Sequence, residues 1–296
     1  MKIFVTGGTG FVGREVVRQL LERGHQVRAL IHRQQNNSLS SDVFEAVSGD
    51  TRKGESLSGL LAGCDAVIHL VGIIREFPTR GITFAELHTE STRNMVQAAT
   101  AQGVSRFLHM SANGARADAV SAYHQTKWAA EEALRHSTLE WTIFRPSLIF
   151  GPQDQFVNLL AQLIRMLPLV PVMGDGKYRL QPVSVGDVAA GFVRALENKT
   201  SIGQCYHCGG PEAYSYDEIL DLIGKALGKP RVRKLHHPLW LMQPVISVMQ
   251  SLPQFPMTRI QLQMLLEGNV CDPTAWQRDF QLDLSDFFTS VKSYLT

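Results

Sequence analysis

The sequence predicts an α/β protein, a doubly wound parallel Rossmann sheet with a smaller, mostly helical C-terminal substrate or lid region. Three observations predict it. A short apolar run, "KIFVT" at residues 2–6, leads directly into the glycine cluster "GGTGFVG". A helical pattern follows at once. Beyond it, strand and helix patterns alternate about every 20–30 residues, as parallel sheets with crossover helices require.

The first run is apolar and β-branched enough for a strand buried on both faces. In "REVVRQLLER" the residues Val16, Val17, Leu20 and Leu21 form one helical stripe, and Gly24 ends it. Between strand and helix, Gly7, Gly10 and Gly13 make a G-x-x-G-x-x-G pattern. Gly7 permits the tight turn, Gly10 lets a pyrophosphate approach the backbone, and Gly13 lets helix and strand pack closely. The phosphates would lie at the helix N-terminus, in the first turn that holds Phe11 and Val12. These residues together predict a dinucleotide site.

The second strand, "QVRALIH", supplies the ribose end of such a site. Asp or Glu at that place selects NAD by accepting from the 2′-hydroxyl. Here the sequence reads Ile31, His32, Arg33. A guanidinium would pair a 2′-phosphate, so NADP(H) is expected in preference to NAD(H). The third strand, "FEAVSGD", ends at Asp50, placed to meet the adenine amino group. The fourth, "DAVIHLVG", ends at Val71 and Gly72, where backbone must run beside the cofactor. A helix, "STRNMVQAATAQG", and a fifth strand, "RFLHMSA", follow. The expected division gives residues 1–150 to the dinucleotide-binding domain, with 178–200 returning to it. Residues 151–177 and 201–296 would form the smaller region.

Chemistry is expected just past the fifth strand. Tyr123 and Lys127 are four apart at the start of a helical pattern and share one face. A neighbouring ammonium would favour the phenolate and lower the tyrosine pKa, while also reaching the nicotinamide ribose. Ser111, at the end of the preceding strand, could orient a carbonyl or alcohol. In the second half, Arg145 reads as a tie between the last strand and its neighbours, and Asp187 as a helix cap. "SYDEILDLIGKALGK" is an amphipathic helix with Ser215 as N-cap. "HHPLWLMQPVISVMQSLPQFPMT" lacks acidic residues and reads first as a core-covering helix, or else as an apolar surface for a membrane, a quinone-like ligand or a partner.

Bulk properties narrow the class. A net charge of +2 without a basic block argues against nucleic acid. No run reaches the roughly 18 apolar residues of a spanning helix. A strand beginning at Lys2 leaves no room for a leader, so a cytoplasmic location is expected. Cys205 and Cys208 form C-x-x-C, but strand alternation turns them to opposite faces and no further ligands lie at zinc spacing. With Cys64 and Cys271 they are read as reduced thiols, and no metal is expected.

The motifs "TGGTGFVG", "GD" at 49–50, "HLVG", "MSANGA", "YHQTK", "RPSLIFGP" and "QPVSVGDVAAG" resemble the short-chain dehydrogenase/reductase superfamily in its extended form. "HTESTRN", "RPSLIFGPQDQFVNLLAQL" and "LLEGNVCDP" are similar to an atypical branch. It contains the nucleotide-binding accessory subunit of respiratory complex I and its bacterial relatives. The resemblance implies a bound NADP(H), a small or lipophilic substrate, and association with a membrane face or respiratory assembly. It implies Tyr123 as proton donor, Lys127 as ribose clamp and Ser111 as carbonyl contact. The superfamily serine lies one or two residues past the strand, so Ser111 or Ala112 stands at its place, and His88 stands where a helix-borne Asn is common. The alternatives are a nucleotide-sugar epimerase or dehydratase, with Arg145, Arg179 and Arg231 as diphosphate contacts, and a non-catalytic, cofactor-stabilised binding or assembly module.

Overall fold

The computed structural model describes residues 1–31, 43–250 and 258–295. Seven parallel strands make the main sheet. The first six are β1 (Lys2–Thr6), β2 (Gln26–Ile31), β3 (Phe44–Ser48), β4 (Ala66–His69), β5 (Arg106–Met110) and β6 (Glu140–Pro146). The seventh is Gln204–Cys208, and the order from that edge is seventh, β6, β5, β4, β1, β2, β3. The strand order reverses beside β1, the switch point where doubly wound sheets bind ligands at their carboxyl ends. Three helices matter for the site: α1 (Phe11–Glu22), α2 (Ser91–Ala101) and α3 (Ala122–Arg135).

Contacts divide the chain into two compact units. The first comprises Met1–Pro146, Gly186–Cys208 and Thr274–Leu282. It therefore includes the seventh strand and a late segment, both of which sequence reasoning assigned to the smaller region. Pairing explains the strand: Gln204 to Cys208 lie in register with Thr142 to Pro146. The late segment is held by side-chain bonds. Arg194 donates to the carbonyl of Phe280, Asn198 to that of Asp279, and the Tyr206 hydroxyl to the Asp279 carboxylate. Trp276 is buried, and a Cβ on Gly191 would come within 2.5 Å of its Nε1. On one face of the sheet Phe4, Val67, Phe107 and Ile143 pack against Met95, Ala99 and Leu134. Arg145 pairs with Glu131 at 2.6 Å, which makes it the strand tie expected of it.

The second unit comprises Ser147–Val185, Gly209–Pro273 and Asp283–Thr296. Its core joins the helices Phe156–Met166, Tyr216–Ala226 and Phe287–Leu295 through Leu160, Ile164, Ile219, Ile223 and Val291. Ser215 caps the second of these, and Glu218 completes a capping box. Asp187 lies in the first turn of the helix Val185–Ala195. The helix Leu239–Met249 contains Pro244 and buries Ile246, but leaves Trp240 and Val248 74% and 73% exposed. Core covering alone does not describe it.

Candidate active site

The glycine loop has the geometry that a diphosphate requires. Gly7 adopts φ +73°, and a Cβ there would meet the Leu70 carbonyl carbon at 3.0 Å. The Gly10 amide donates to the Gly7 carbonyl at 2.9 Å and closes the turn. At Gly13 a Cβ would lie 2.0 Å from the Gly7 carbonyl oxygen, a distance no side chain tolerates. Only glycine lets α1 start this close to β1. No side chain caps α1 and no acid occupies its first turn, so the amides around Phe11 and Val12 face an incoming anion without competition.

Beside this loop lies a cleft of about 510 Å³, lined by Gly7, Thr9, Leu30, Asp50, Arg52 and Val71 among others. It brings the expected Gly7, Asp50 and Val71 together. Asp50 is not left for adenine alone. Its carboxylate takes both Nε and an Nη of Arg52, at 3.0 and 2.7 Å, and Arg52 also donates to the Gly81 carbonyl. Arg52 and Arg80, which sequence reasoning passed over, put two guanidinium groups on the cleft wall. Arg33 lies outside the described residues.

Gly72 joins this cleft to the second cluster. A Cβ there would lie 2.9 Å from Lys127 Nζ, so the bare backbone gives the ammonium its place. Lys127 is buried and donates to the Met110 carbonyl at 3.0 Å. Burial brings its pKa down to about 8, opposed by the charge of Glu131. Ser111 follows Met110 directly, is buried, and has an Oγ without a hydrogen-bond partner among the described residues. An unpartnered buried hydroxyl costs stability unless something else uses it.

Tyr123 stands on α3 one turn before Lys127, its ring edge-on to Phe84 and His88. The expected lowering of its pKa is not found. Burial pushes the phenol up to about 12, and Lys127 has turned to the Met110 carbonyl. The group is therefore a protonated donor at neutral pH.

His88 sits within a π-helical turn, Ala85–Glu90, a geometry frequent at functional sites. Its Nδ1 lies 2.9 Å from the Thr126 hydroxyl, and its Nε2 lies 3.2 Å from the Ile73 amide nitrogen. The Nε2 also lies 3.1 Å from the Ile73 carbonyl oxygen, so either neutral tautomer of the ring finds partners here. Burial and the nearby Lys127 charge hold the ring neutral, with a pKa of about 2. Deeper still, His69 stacks on His109 at 5.5 Å and bonds the Thr6 hydroxyl at 2.7 Å. His69 and His109 sit inside the apolar runs "VIHL" and "FLHM", so nothing in the local sequence marked them.

Among the described residues no cluster of His, Cys, Asp and Glu could hold a metal ion, and all four cysteines are free thiols. A parallel sheet with a glycine loop at its switch point, followed by a tyrosine–lysine pair past its fifth strand, defines a dinucleotide-binding protein of the extended short-chain dehydrogenase/reductase type. The chain belongs to the NAD dependent epimerase/dehydratase family, whose model matches residues 3–209.

Two relatives mark its neighbourhood. It is 31% identical to the Arabidopsis thaliana protein named NADH dehydrogenase [ubiquinone] 1 alpha subcomplex subunit 9, mitochondrial. That match covers 79% of this chain and 60% of the plant protein, so the chain spans less than two thirds of its relative's length. It is also 31% identical to ceramide reductase of Caulobacter vibrioides, over 80% of this chain and 74% of that one. In fold it is similar to the dTDP-glucose 4,6-dehydratase DesIV of Streptomyces venezuelae, crystallised with NAD. The TM-score is 0.77 at 21% identity, covering 100% of this chain and 96% of that one.

Proposed function

We propose that this protein is an NADP(H)-dependent oxidoreductase that reduces a carbonyl of a lipophilic substrate. One observation carries the reading: a part-buried, protonated Tyr123 stands one helical turn from Lys127, at the strand end where Ser111 holds an unpartnered hydroxyl. The glycine loop and Gly72 fit a dinucleotide, since each leaves space that a Cβ would fill. Once bound there, the nicotinamide supplies the hydride. Ser111 donates to the carbonyl oxygen and orients it. Tyr123 gives its proton to that oxygen as negative charge develops. Lys127, charged at neutral pH with a pKa of about 8, would stabilise the phenolate left behind once its ammonium swings from the Met110 carbonyl toward the tyrosine. His88 braces the tyrosine ring.

Arg33 in the sequence and Arg52 and Arg80 on the cleft wall support NADP(H), as does Ile31 at the end of β2, where NAD enzymes place an acid. The kinship with ceramide reductase supports a lipophilic substrate. The nucleotide-sugar alternative needs cations for a diphosphate, but Arg145 is committed to Glu131 and Arg179 to the Ala213 carbonyl, which leaves it Arg231 of its three candidates.

The test is reduction of long-chain ketones by the purified protein with NADPH or NADH. Tyr123→Phe should lower turnover by roughly a hundredfold or more while NADPH still binds. Unchanged turnover in that variant defeats the catalytic reading, and tighter binding of NADH than of NADPH defeats the cofactor reading. The kinship with the NADH dehydrogenase subunit supports a second role, as a cofactor-stabilised component of a quinone-linked assembly. That role would survive Tyr123→Phe.

A further inference from the structure

We propose that the second unit carries a docking surface for an anionic lipid bilayer, made of the apolar tip at residues 166–169 and a ring of lysines and arginines around it. The helix Phe156–Met166 is amphipathic and buries Leu160 and Ile164, but the chain after it does not turn inward. All five residues from Arg165 to Leu169 are exposed. Met166, Leu167 and Leu169 show 68%, 38% and 47% of their surface, in a run with Pro168 between them.

Strand pairing extends the apolar area. Val170–Met173 runs parallel to Lys234–His237, with Val170 opposite Lys234 and Pro171 opposite Leu235. Alternation buries Val170 and Val172, and so turns Leu169 and Pro171 outward, beside an exposed Leu235. Single exposed apolar residues are ordinary, but a contiguous group of them marks a contact surface.

The charges around the tip say what kind of contact it is. Three adjoining hollows, of about 970, 500 and 260 Å³, all include Lys229 in their walls. Together they add Arg165, Lys225, Arg231, Arg233 and Lys292. The Val170 amide donates to the Arg233 carbonyl at 2.9 Å, which sets that arginine next to Leu169. The one acid in the three walls, Asp221, is paired with Lys234 at 2.7 Å. Nucleic acid would suit the cations but gives no reason for the leucines. A bilayer with anionic headgroups uses both: the apolar side chains enter the acyl boundary, and the cations meet phosphates above it. Their aliphatic stems can lie along the same apolar surface.

This surface does not depend on the chemistry assigned to Tyr123. The probe is the full chain, sedimented with phosphatidylcholine vesicles or with vesicles that also contain phosphatidylglycerol. Wild type should bind the anionic vesicles at least roughly tenfold more tightly, and salt should weaken the binding. The double variants Arg231→Glu/Arg233→Glu and Leu167→Ser/Leu169→Ser should each lose roughly tenfold or more. Their melting temperatures report whether they fold, and the wild-type comparison stands regardless. No preference for anionic vesicles overturns the proposal, as does wild-type binding by either folded variant. An acidic protein partner predicts the first of those results.

Discussion

Gly13→Ala is the sharpest probe of the dinucleotide loop. On helix propensity alone the change should help, since alanine is favoured over glycine by about 1 kcal/mol in a helix. Geometry opposes it. The new Cβ would stand 2.0 Å from the Gly7 carbonyl oxygen and 2.7 Å from the Gly8 Cα, both of them backbone atoms. Relief requires the loop and the start of α1 to separate by roughly 1 Å, against packing that typically resists overfilling by 1–3 kcal/mol or more.

The expected outcome is a net loss of about 2 kcal/mol, seen as a melting temperature lower by roughly 5 °C. The second readout is specific to the site. NADPH at about a hundred times its dissociation constant should stabilise wild type by about 2.7 kcal/mol, and Gly13→Ala should lose that stabilisation. Gly24→Ala is the control. It has φ +76° with nothing near its Cβ, so it should cost about 1 kcal/mol and keep the full effect of NADPH. If Gly13→Ala melts like wild type and is still protected by NADPH, the reasoning fails.

Three further outcomes follow from the buried charges. Lys127 has its pKa lowered by burial from 10.5 to about 8, so between those values the unfolded chain holds a proton that the native chain has released. Stability without cofactor should therefore rise with pH across that window, and Lys127→Met should remove the slope and add up to roughly 3 kcal/mol near pH 7 while cofactor binding falls. Denaturant titrations at several pH values check both effects. His69, His88 and His124 are depressed by burial to about 3, 2 and 4, so each takes up its proton in the unfolded chain first. Acid should remove about 1.4 kcal/mol per pH unit for each below pH 6.5, and His88→Asn should take one proton out of that slope. Gly72→Ala would crowd the tip of Lys127 and make only an ordinary contact with His88, so calorimetry should show an unchanged fold while kcat/KM drops roughly tenfold.

The sheet and its glycine loop were readable because their signals are local. Gly7, Gly10 and Gly13 lie within seven residues, and the strand and helix periods on either side need no distant partner. Tyr123 and Lys127 were readable for the same reason, being one helical turn apart. Their protonation was not. The pKa of Tyr123 is raised by desolvation, and the rings packed edge-on to it, Phe84 and His88, come from another part of the chain. The capture of Asp50 by Arg52 is short in sequence but needs the turn after β3, and the ring of His88 in its π-helical turn meets Ile73 and Thr126, which are distant in sequence. The seventh strand was assigned to the wrong side because "QCYHC" gives no sign of the partner it pairs with.

The seating of Trp276 against Gly191 also governs how the protein is made. The indole and its neighbours up to Leu282 are translated after the Gly209–Pro273 segment of the second unit, yet they belong to the first unit. Until Trp276 emerges, the helix Val185–Ala195 has at Gly191 a gap where an indole must later fit. The dinucleotide half thus reaches its final form only after the Gly209–Pro273 segment of the second unit has been made, and a stop codon shortly before Trp276 should yield a chain that proteases clear.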